Sequence, residues 1–175
     1  MGSPHDPKVM RISKPQLGDI FEVRIDFDTK SYFQYIADDL TQMNAPVIRA
    51  FIGKYPMSAS PSFQRLVVSD VDFHAHTYLK LGVKNGIWSL VGNISPQKTS
   101  TILFRDSHDY GNPQFEITLD VSRNWFVWQP NGSRQEVGEL SGELRKAEIG
   151  VVMPPDTIAF RIRNGVFDFV YPRFE

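Results

Sequence analysis

Alternation of apolar and charged positions predicts a β-strand near the beginning of the sequence. From 20 to 27 the apolar side chains fall on every second residue and therefore share one face of an extended segment: Phe21, Val23, Ile25 and Phe27. The charged side chains between them face the opposite way, which is the two-residue period of a strand with one side in water. The segment 28–30 predicts a turn, and the segments 32–37 and 47–52 predict the next two strands.

Three Asn-Gly pairs predict three β-hairpins, at 85–86, 131–132 and 164–165. Both residue types tolerate the positive φ angles that a tight type I′ turn requires, and apolar segments of strand length flank the pairs. The flanking segments predict strands over 76–83, 87–91, 125–128, 158–162 and 166–170. Two further strands are predicted over 101–104 and 115–121.

Helical patterns are weak, and the segment 136–146 is the main candidate for a short helix, with a polar loop as the alternative. The sequence therefore predicts a mainly β protein. We expect a single domain whose antiparallel sheet or partly open barrel contains roughly nine or ten strands and at most one short helix. Residues 1–16 are expected to form a flexible N-terminal segment, and residues 17–175 the domain.

Composition and charge exclude several classes of protein. The chain of 175 residues contains no cysteine, so disulfides, thiolate zinc sites and cysteine nucleophiles are excluded. A formal net charge of −1 does not favour nucleic acid as a partner, because general polyanion binding requires a strongly basic domain. No apolar segment approaches the roughly 18 residues of a membrane-spanning helix, and the N-terminus lacks a signal-peptide pattern. We therefore expect a cytoplasmic protein.

The candidate chemistry in the sequence is limited. His74 and His76 would share one face of a strand, and they would form part of a metal site if His108 or Asp109 supplied a third ligand. The alternative is that both histidines are ordinary polar residues of the strand. Phosphate-binding glycine loops and the G-x-S-x-G nucleophile motif are absent from the sequence. We expect no cofactor and no enzymatic activity.

Acidic and aromatic residues are concentrated between 19 and 39. Six acidic and two basic residues give this segment a formal net charge of −4, and tyrosines are interleaved with them. An edge of this composition would attract a basic protein partner over long range, and its aromatic side chains would anchor the complex. The alternative is an ordinary solvated face of a sheet. The candidate partner-binding residues are Glu22, Asp26, Asp28, Tyr32, Tyr35, Asp38 and Asp39.

Four short motifs follow one another in the first 105 residues: LGDIFEV at 17–23, YFQY at 32–35, GIWSLVGN at 86–93 and ILFR at 102–105. In this order they resemble the bacterial immunity protein 26 family of polymorphic-toxin systems, over residues 18–105. The resemblance implies a protein without enzymatic activity that neutralises a cognate toxin domain by stoichiometric binding. The toxins of such systems are often nucleases. The resemblance carries no binding residues across to this sequence.

A small β-barrel that binds nucleic acid or another ligand is the alternative function. Arg161 and Arg163 would share one face of the predicted C-terminal strand, where they would form either a basic, aromatic groove or simply the solvent side of that strand. A metal-dependent hydrolase built on His74 and His76 is a third hypothesis. The sequence leaves the oligomeric state and the strand order open.

Overall fold

The computed structural model describes residues 14–96, 101–110 and 120–175. In these residues the strands are β1 (Asp19–Arg24), β2 (Thr29–Asp39), β3 (Ala45–Phe51), β4 (Tyr55–Pro56), β5 (Val71–Thr77), β6 (Trp88–Asn93), β7 (Phe104–Ser107), β8 (Trp125–Trp128), β9 (Gln135–Gly138), β10 (Glu148–Ile149) and β11 (Val152–Met153). The helices are α1 (Phe63–Leu66), α2 (Leu79–Lys84) and α3 (Pro155–Asn164), with a 3-10 helix over Gly142–Lys146. None of these helices is long and apolar enough to cross a membrane. The prediction of a mainly β fold is confirmed.

The strands form two open sheets. The larger sheet has the order β11-β5-β3-β2-β1-β6, and the short strand β4 also pairs with β2. The smaller sheet has the order β10-β7-β8-β9. Pairing is antiparallel except between β11 and β5 and between β10 and β7, which run parallel. Neither sheet closes into a barrel.

The two faces of the larger sheet are covered by different elements. On one face, Phe33 and Ile48 belong to a core that includes Ile158 of α3. On the opposite face, Val47 packs with Phe104 of the smaller sheet. Because both faces are covered, β2 and β3 are buried on both sides over most of their length, and not on one side as an alternating pattern implies.

The first strand is shorter than the sequence predicts. β1 ends at Arg24, and the carboxylate of Asp26 accepts hydrogen bonds from the backbone N–H groups of Asp28 (2.9 Å) and Thr29 (2.7 Å). The turn therefore forms before the predicted segment 28–30. Phe27 lies at its tip and is 88% exposed instead of facing the core. The next two predicted strands are confirmed as β2 and β3.

Helix α2 lies where the sequence predicts the first arm of a hairpin. Gly86 has a φ angle of 69° and ends the helix. The backbone N–H groups of Gly86 and Ile87 donate to the carbonyls of Val83 and Gly82, which is the Schellman pattern of a helix C-terminus. The predicted strand over 76–83 is therefore wrong beyond its first two residues, whereas the predicted strand over 87–91 is confirmed as β6.

Helix α3 lies where the third Asn-Gly pair predicts a hairpin. Pro155 occupies the first turn, where a backbone N–H group would have no intrahelical acceptor, so proline costs no hydrogen bond there. Gly165 ends the helix with a φ angle of 77°. The predicted strand over 158–162 is therefore wrong, and 166–170 forms no strand. Arg161 and Arg163 consequently do not share one face of a strand.

The remaining predicted elements are partly confirmed. Asn131, with a φ angle of 63°, lies in the loop of the antiparallel hairpin formed by β8 and β9. The strand predicted over 101–104 is shifted and is observed as β7. The segment 136–146 contains the end of β9 and the 3-10 helix. Most of the strand predicted over 115–121, and residues 1–13 of the predicted N-terminal segment, lie outside the described residues.

Candidate functional site

The seven residues predicted to bind a partner do not form one exposed edge. β2 lies in the middle of the larger sheet, so both of its backbone edges are paired. Tyr32, Tyr35 and Asp39 on this strand are buried, whereas Asp26 and Asp28 are exposed in the turn before it. The prediction of a continuous acidic, tyrosine-rich edge is therefore wrong. Partner binding by the exposed residues stays a prediction.

Glu22 is engaged inside the protein. Its carboxylate lies 2.9 Å from the Nζ atom of Lys30 and accepts a hydrogen bond from the hydroxyl of Tyr32 (3.1 Å). Lys30 is buried, and the pair neutralises a charge that would be costly to bury alone. The hydrogen bond with Glu22 raises the pKa of Lys30. Glu22 therefore stabilises the sheet and does not present a free charge to a partner.

Asp39 is the polar centre of the contact between the two sheets. Its carboxylate accepts hydrogen bonds from Nε1 of Trp128 (2.8 Å) and Nε2 of His76 (3.0 Å). It also accepts the backbone N–H groups of Asn131 and Gln42. Burial alone would raise the pKa of Asp39, but these donors lower it below its usual value. The charged carboxylate therefore joins the two sheets.

The histidines contact carboxylates and do not assemble the hypothetical metal site. Nδ1 of His74 lies 3.3 Å from the carboxylate of Glu148, and Nε2 of His76 is occupied by Asp39. The candidate third ligand His108 pairs with a glutamate at 2.8 Å. In the described parts of the chain, no three potential metal ligands lie together.

An open groove of about 770 Å³ lies between the end of β2 and helix α2. Tyr35 and Leu79 line it and are buried, whereas Leu40, Tyr78 and Leu81 line it and are 66%, 51% and 42% exposed. Exposed apolar side chains around one concavity are typical of a site that binds another molecule. This site, the α2 groove, is the candidate functional site of the protein.

Lysines give the α2 groove a positive rim. Lys14, Lys80 and Lys84 line it, and the last two lie one turn apart on α2. Within the described residues, none of the three forms an ion pair. Asp38 also lines the groove, but it accepts a hydrogen bond from the hydroxyl of Tyr35 (2.6 Å). Burial, and then the contact with Asp38, raises the pKa of Tyr35, so its hydroxyl remains a donor.

Close packing against Trp88 determines where α2 lies. Gly82 approaches the indole so closely that a Cβ atom at this position would overlap it. Nε1 of Trp88 donates to the carbonyl of Leu79 (3.0 Å). The indole itself packs edge-on against Phe33, with ring centroids 5.0 Å apart. The core of the larger sheet thus positions the helix that carries Lys80 and Lys84.

The sequence pattern does not predict the α2 groove, because it predicts a strand over 76–83. The four-residue spacing of Lys80 and Lys84, which puts both lysines on one side of a helix, is the signal that could have indicated it. Two of the seven predicted partner-binding residues, Tyr35 and Asp38, do line the groove.

A second cavity, of about 390 Å³, contains the two arginines of the alternative function. Arg161 and Arg163 line it together with Lys54. Arg161 pairs with Asp72 (3.0 Å), and Nε of Arg163 donates to the carbonyl of Arg24 (3.1 Å). The C-terminal end of α3 lines the same cavity and brings the negative end of the helix dipole to it. These contacts oppose phosphate binding, and the nucleic-acid alternative stays a prediction.

Comparison with known proteins assigns no family to the chain. No family model matches the sequence, and no curated protein and no solved structure matches it. The resemblance of residues 18–105 to the immunity protein 26 family therefore stays a prediction, and the geometry of the chain alone defines the candidate site.

Proposed function

We propose that the protein is an immunity protein that neutralises a cognate bacterial toxin domain by stoichiometric binding, with the α2 groove as its docking site. The observation that carries this proposal is the apolar surface that Leu40, Tyr78 and Leu81 expose around one concavity. Most of the groove belongs to residues 18–105, on which the resemblance to immunity proteins rests.

The lining of the α2 groove defines the chemistry of the partner. Its apolar surface would accept one or two apolar anchor side chains, which contribute most of the binding energy in many protein interfaces. Lys14, Lys80 and Lys84 would pair with carboxylates beside those anchors and would speed the encounter. The proposed partner segment is therefore acidic, in contrast to the basic partner expected from the segment 19–39.

Affinity capture of the tagged protein from its source cells, followed by mass spectrometry and inhibition assays, tests the function. The expected result is one stoichiometric partner with a toxin domain whose purified activity is abolished by an equimolar amount of this protein. Robust turnover of a defined substrate by the isolated protein would contradict the proposal. So would a captured toxin whose activity is unaffected.

Two variants test the docking site. Leu81→Glu places a charge in the apolar contact and Lys84→Glu reverses the rim, and each is expected to weaken toxin binding at least about tenfold. Val170→Glu and Lys146→Glu are matched controls, because they change exposed residues of similar type outside the groove. If all four variants bind the toxin equally well, the interface lies on another surface.

A further inference from the structure

The turn between β1 and β2 presents an aromatic side chain between two carboxylates. Phe27 at its tip is 88% exposed, and Asp26 and Asp28 on either side are exposed as well. An aromatic ring held in water gains binding energy when a partner buries it, and such residues dominate many protein–protein contacts. These three residues form the Phe27 turn.

Hydrogen bonds hold the Phe27 turn in one conformation. Besides its two backbone bonds, the carboxylate of Asp26 accepts a hydrogen bond from the hydroxyl of Thr29 (2.8 Å). The backbone N–H of Met57 donates to the carbonyl of Asp28 (2.8 Å) and ties the turn to the chain that follows β4. An ordered turn loses little conformational entropy on binding, so most of the energy from burying Phe27 is available for association.

The Phe27 turn and the α2 groove are complementary. The turn offers an aromatic ring flanked by two carboxylates, with the guanidinium carbon of Arg24 at 6.0 Å from the ring centroid, and the groove offers apolar walls flanked by lysines. Asp26 is occupied by the hydrogen bonds of its own turn, which leaves Asp28 as the carboxylate that can meet a lysine.

The Phe27 turn does not reach the groove of its own chain. β2 begins at Thr29 beside the turn and ends at Asp39 beside the groove, and its 11 residues extend over roughly 33 Å. A contact between these two surfaces therefore joins different copies of the chain.

We propose that the Phe27 turn of one copy binds in the α2 groove of a second copy and forms a head-to-tail assembly. Phe27 enters between Leu40, Tyr78 and Leu81, while Asp28 pairs with a lysine of the rim. Every assembly that has not closed into a ring keeps a free turn at one end and a free groove at the other, so it grows with concentration. The contact is small, so we expect a dissociation constant of about 0.1–1 mM.

This self-association does not depend on the toxin-binding function, because it requires only the two surfaces of the chain itself. A second copy in the groove would compete with a toxin there. Phe27→Ala is therefore expected to bind a toxin at least as tightly as the wild-type chain. Failure of the self-association proposal does not contradict toxin binding, and failure of toxin binding does not contradict self-association.

Sedimentation equilibrium of the full chain, at concentrations up to about 2 mM, tests the assembly. The average mass is expected to rise above the 20.0 kDa of one chain and to fall again at high salt, because salt screens the carboxylate–lysine pairs. Phe27→Ala and Leu81→Glu are each expected to remain monomeric. Val170→Glu, which changes an exposed apolar residue outside both surfaces, is expected to associate like the wild-type chain.

Mixing the two defective variants distinguishes a head-to-tail contact from a symmetric one. Phe27→Ala keeps an intact groove and Leu81→Glu keeps an intact turn, so an equimolar mixture is expected to form dimers and nothing larger. Asp28→Lys keeps the ring and is expected to weaken association about tenfold. A wild-type chain that stays monomeric, a Phe27→Ala variant that still assembles, or a mixture that stays monomeric overturns the proposal.

Discussion

The Nε2 atom of His76 lies 3.0 Å from the Oδ2 atom of Asp39, and both side chains are completely buried. Hydrogen bonds keep the Asp39 carboxylate charged, so the Nε2 atom carries the proton that it donates. Burial lowers the pKa of His76 and outweighs the opposing effect of Asp39, so the imidazole is neutral. The pair connects β2 to β5 and, through the bond from Trp128 to the same carboxylate, the larger sheet to the smaller one.

Because of the His76–Asp39 pair, the protein is expected to be less stable in mild acid than at neutral pH. The folded-state pKa of each group is lowered, so the unfolded chain binds protons more readily. The stability contributed by the pair is fully present above the unfolded histidine pKa of about 6.5. It is lost as the pH falls, first through titration of His76 and then, below about pH 4, through titration of Asp39.

Urea unfolding at about pH 7.5 and about pH 5 measures this loss. His76→Gln keeps all other titrating groups, so the wild-type chain is expected to lose more unfolding free energy between the two conditions than this variant does. Equal losses in the two proteins would show that His76 is not responsible.

Removal of the Asp39 carboxylate is expected to destabilise the fold strongly. Asp39→Ala leaves the buried donors of Trp128 and His76 without an acceptor, which costs about 3 kcal/mol of unfolding free energy. Asp38→Ala loses one hydrogen bond with Tyr35 at a half-buried position and is expected to cost about 1 kcal/mol. Denaturant unfolding compares these neighbouring variants, and similar losses would refute the role assigned to Asp39.

Substitution of Gly82 is expected to displace α2. The new methyl group of Gly82→Ala would overlap the indole of Trp88, and the resulting strain is expected to lower the unfolding free energy by about 2 kcal/mol. Lys80→Ala places alanine at an exposed position of the same helix and is expected to change stability by less than about 0.5 kcal/mol. Thermal unfolding of both variants checks this, and an unchanged Gly82→Ala protein would contradict the packing described for α2.

Charge reversal is expected to change stability by different amounts at Glu22 and at Asp28, two residues of the predicted acidic edge. Glu22→Lys puts a second ammonium group beside the buried Lys30 and is expected to cost about 2 kcal/mol of unfolding free energy. Asp28→Lys changes an exposed turn residue and is expected to cost less than about 0.5 kcal/mol. Urea unfolding distinguishes the two, and a Glu22→Lys protein as stable as Asp28→Lys would show that the buried pair contributes little.

Local patterns were sufficient for β2 and β3 but not for two of the three Asn-Gly pairs. Gly86 and Gly165 have the positive φ angles that such pairs predict. The same backbone conformation ends a helix as readily as it forms a hairpin, so the pair alone does not distinguish the two structures. Packing decides between the two structures: α2 packs on the nearby Trp88, and α3 packs on the core of the larger sheet, whose strands are remote in sequence.

The neighbouring carboxylates of Asp38 and Asp39 also show what local sequence patterns do not determine. The sequence alone predicts a mainly β protein, because the alternation of apolar and polar residues and the residue composition are local properties. It also places Asp38 and Asp39 near the end of an apolar strand. Neighbouring residues of a strand face opposite sides, but the sequence does not reveal what covers each side. Only the tertiary structure directs Asp39 to His76 and Trp128 and leaves Asp38 at the α2 groove. Burial and charge pairing depend on segments that meet only when the two sheets assemble.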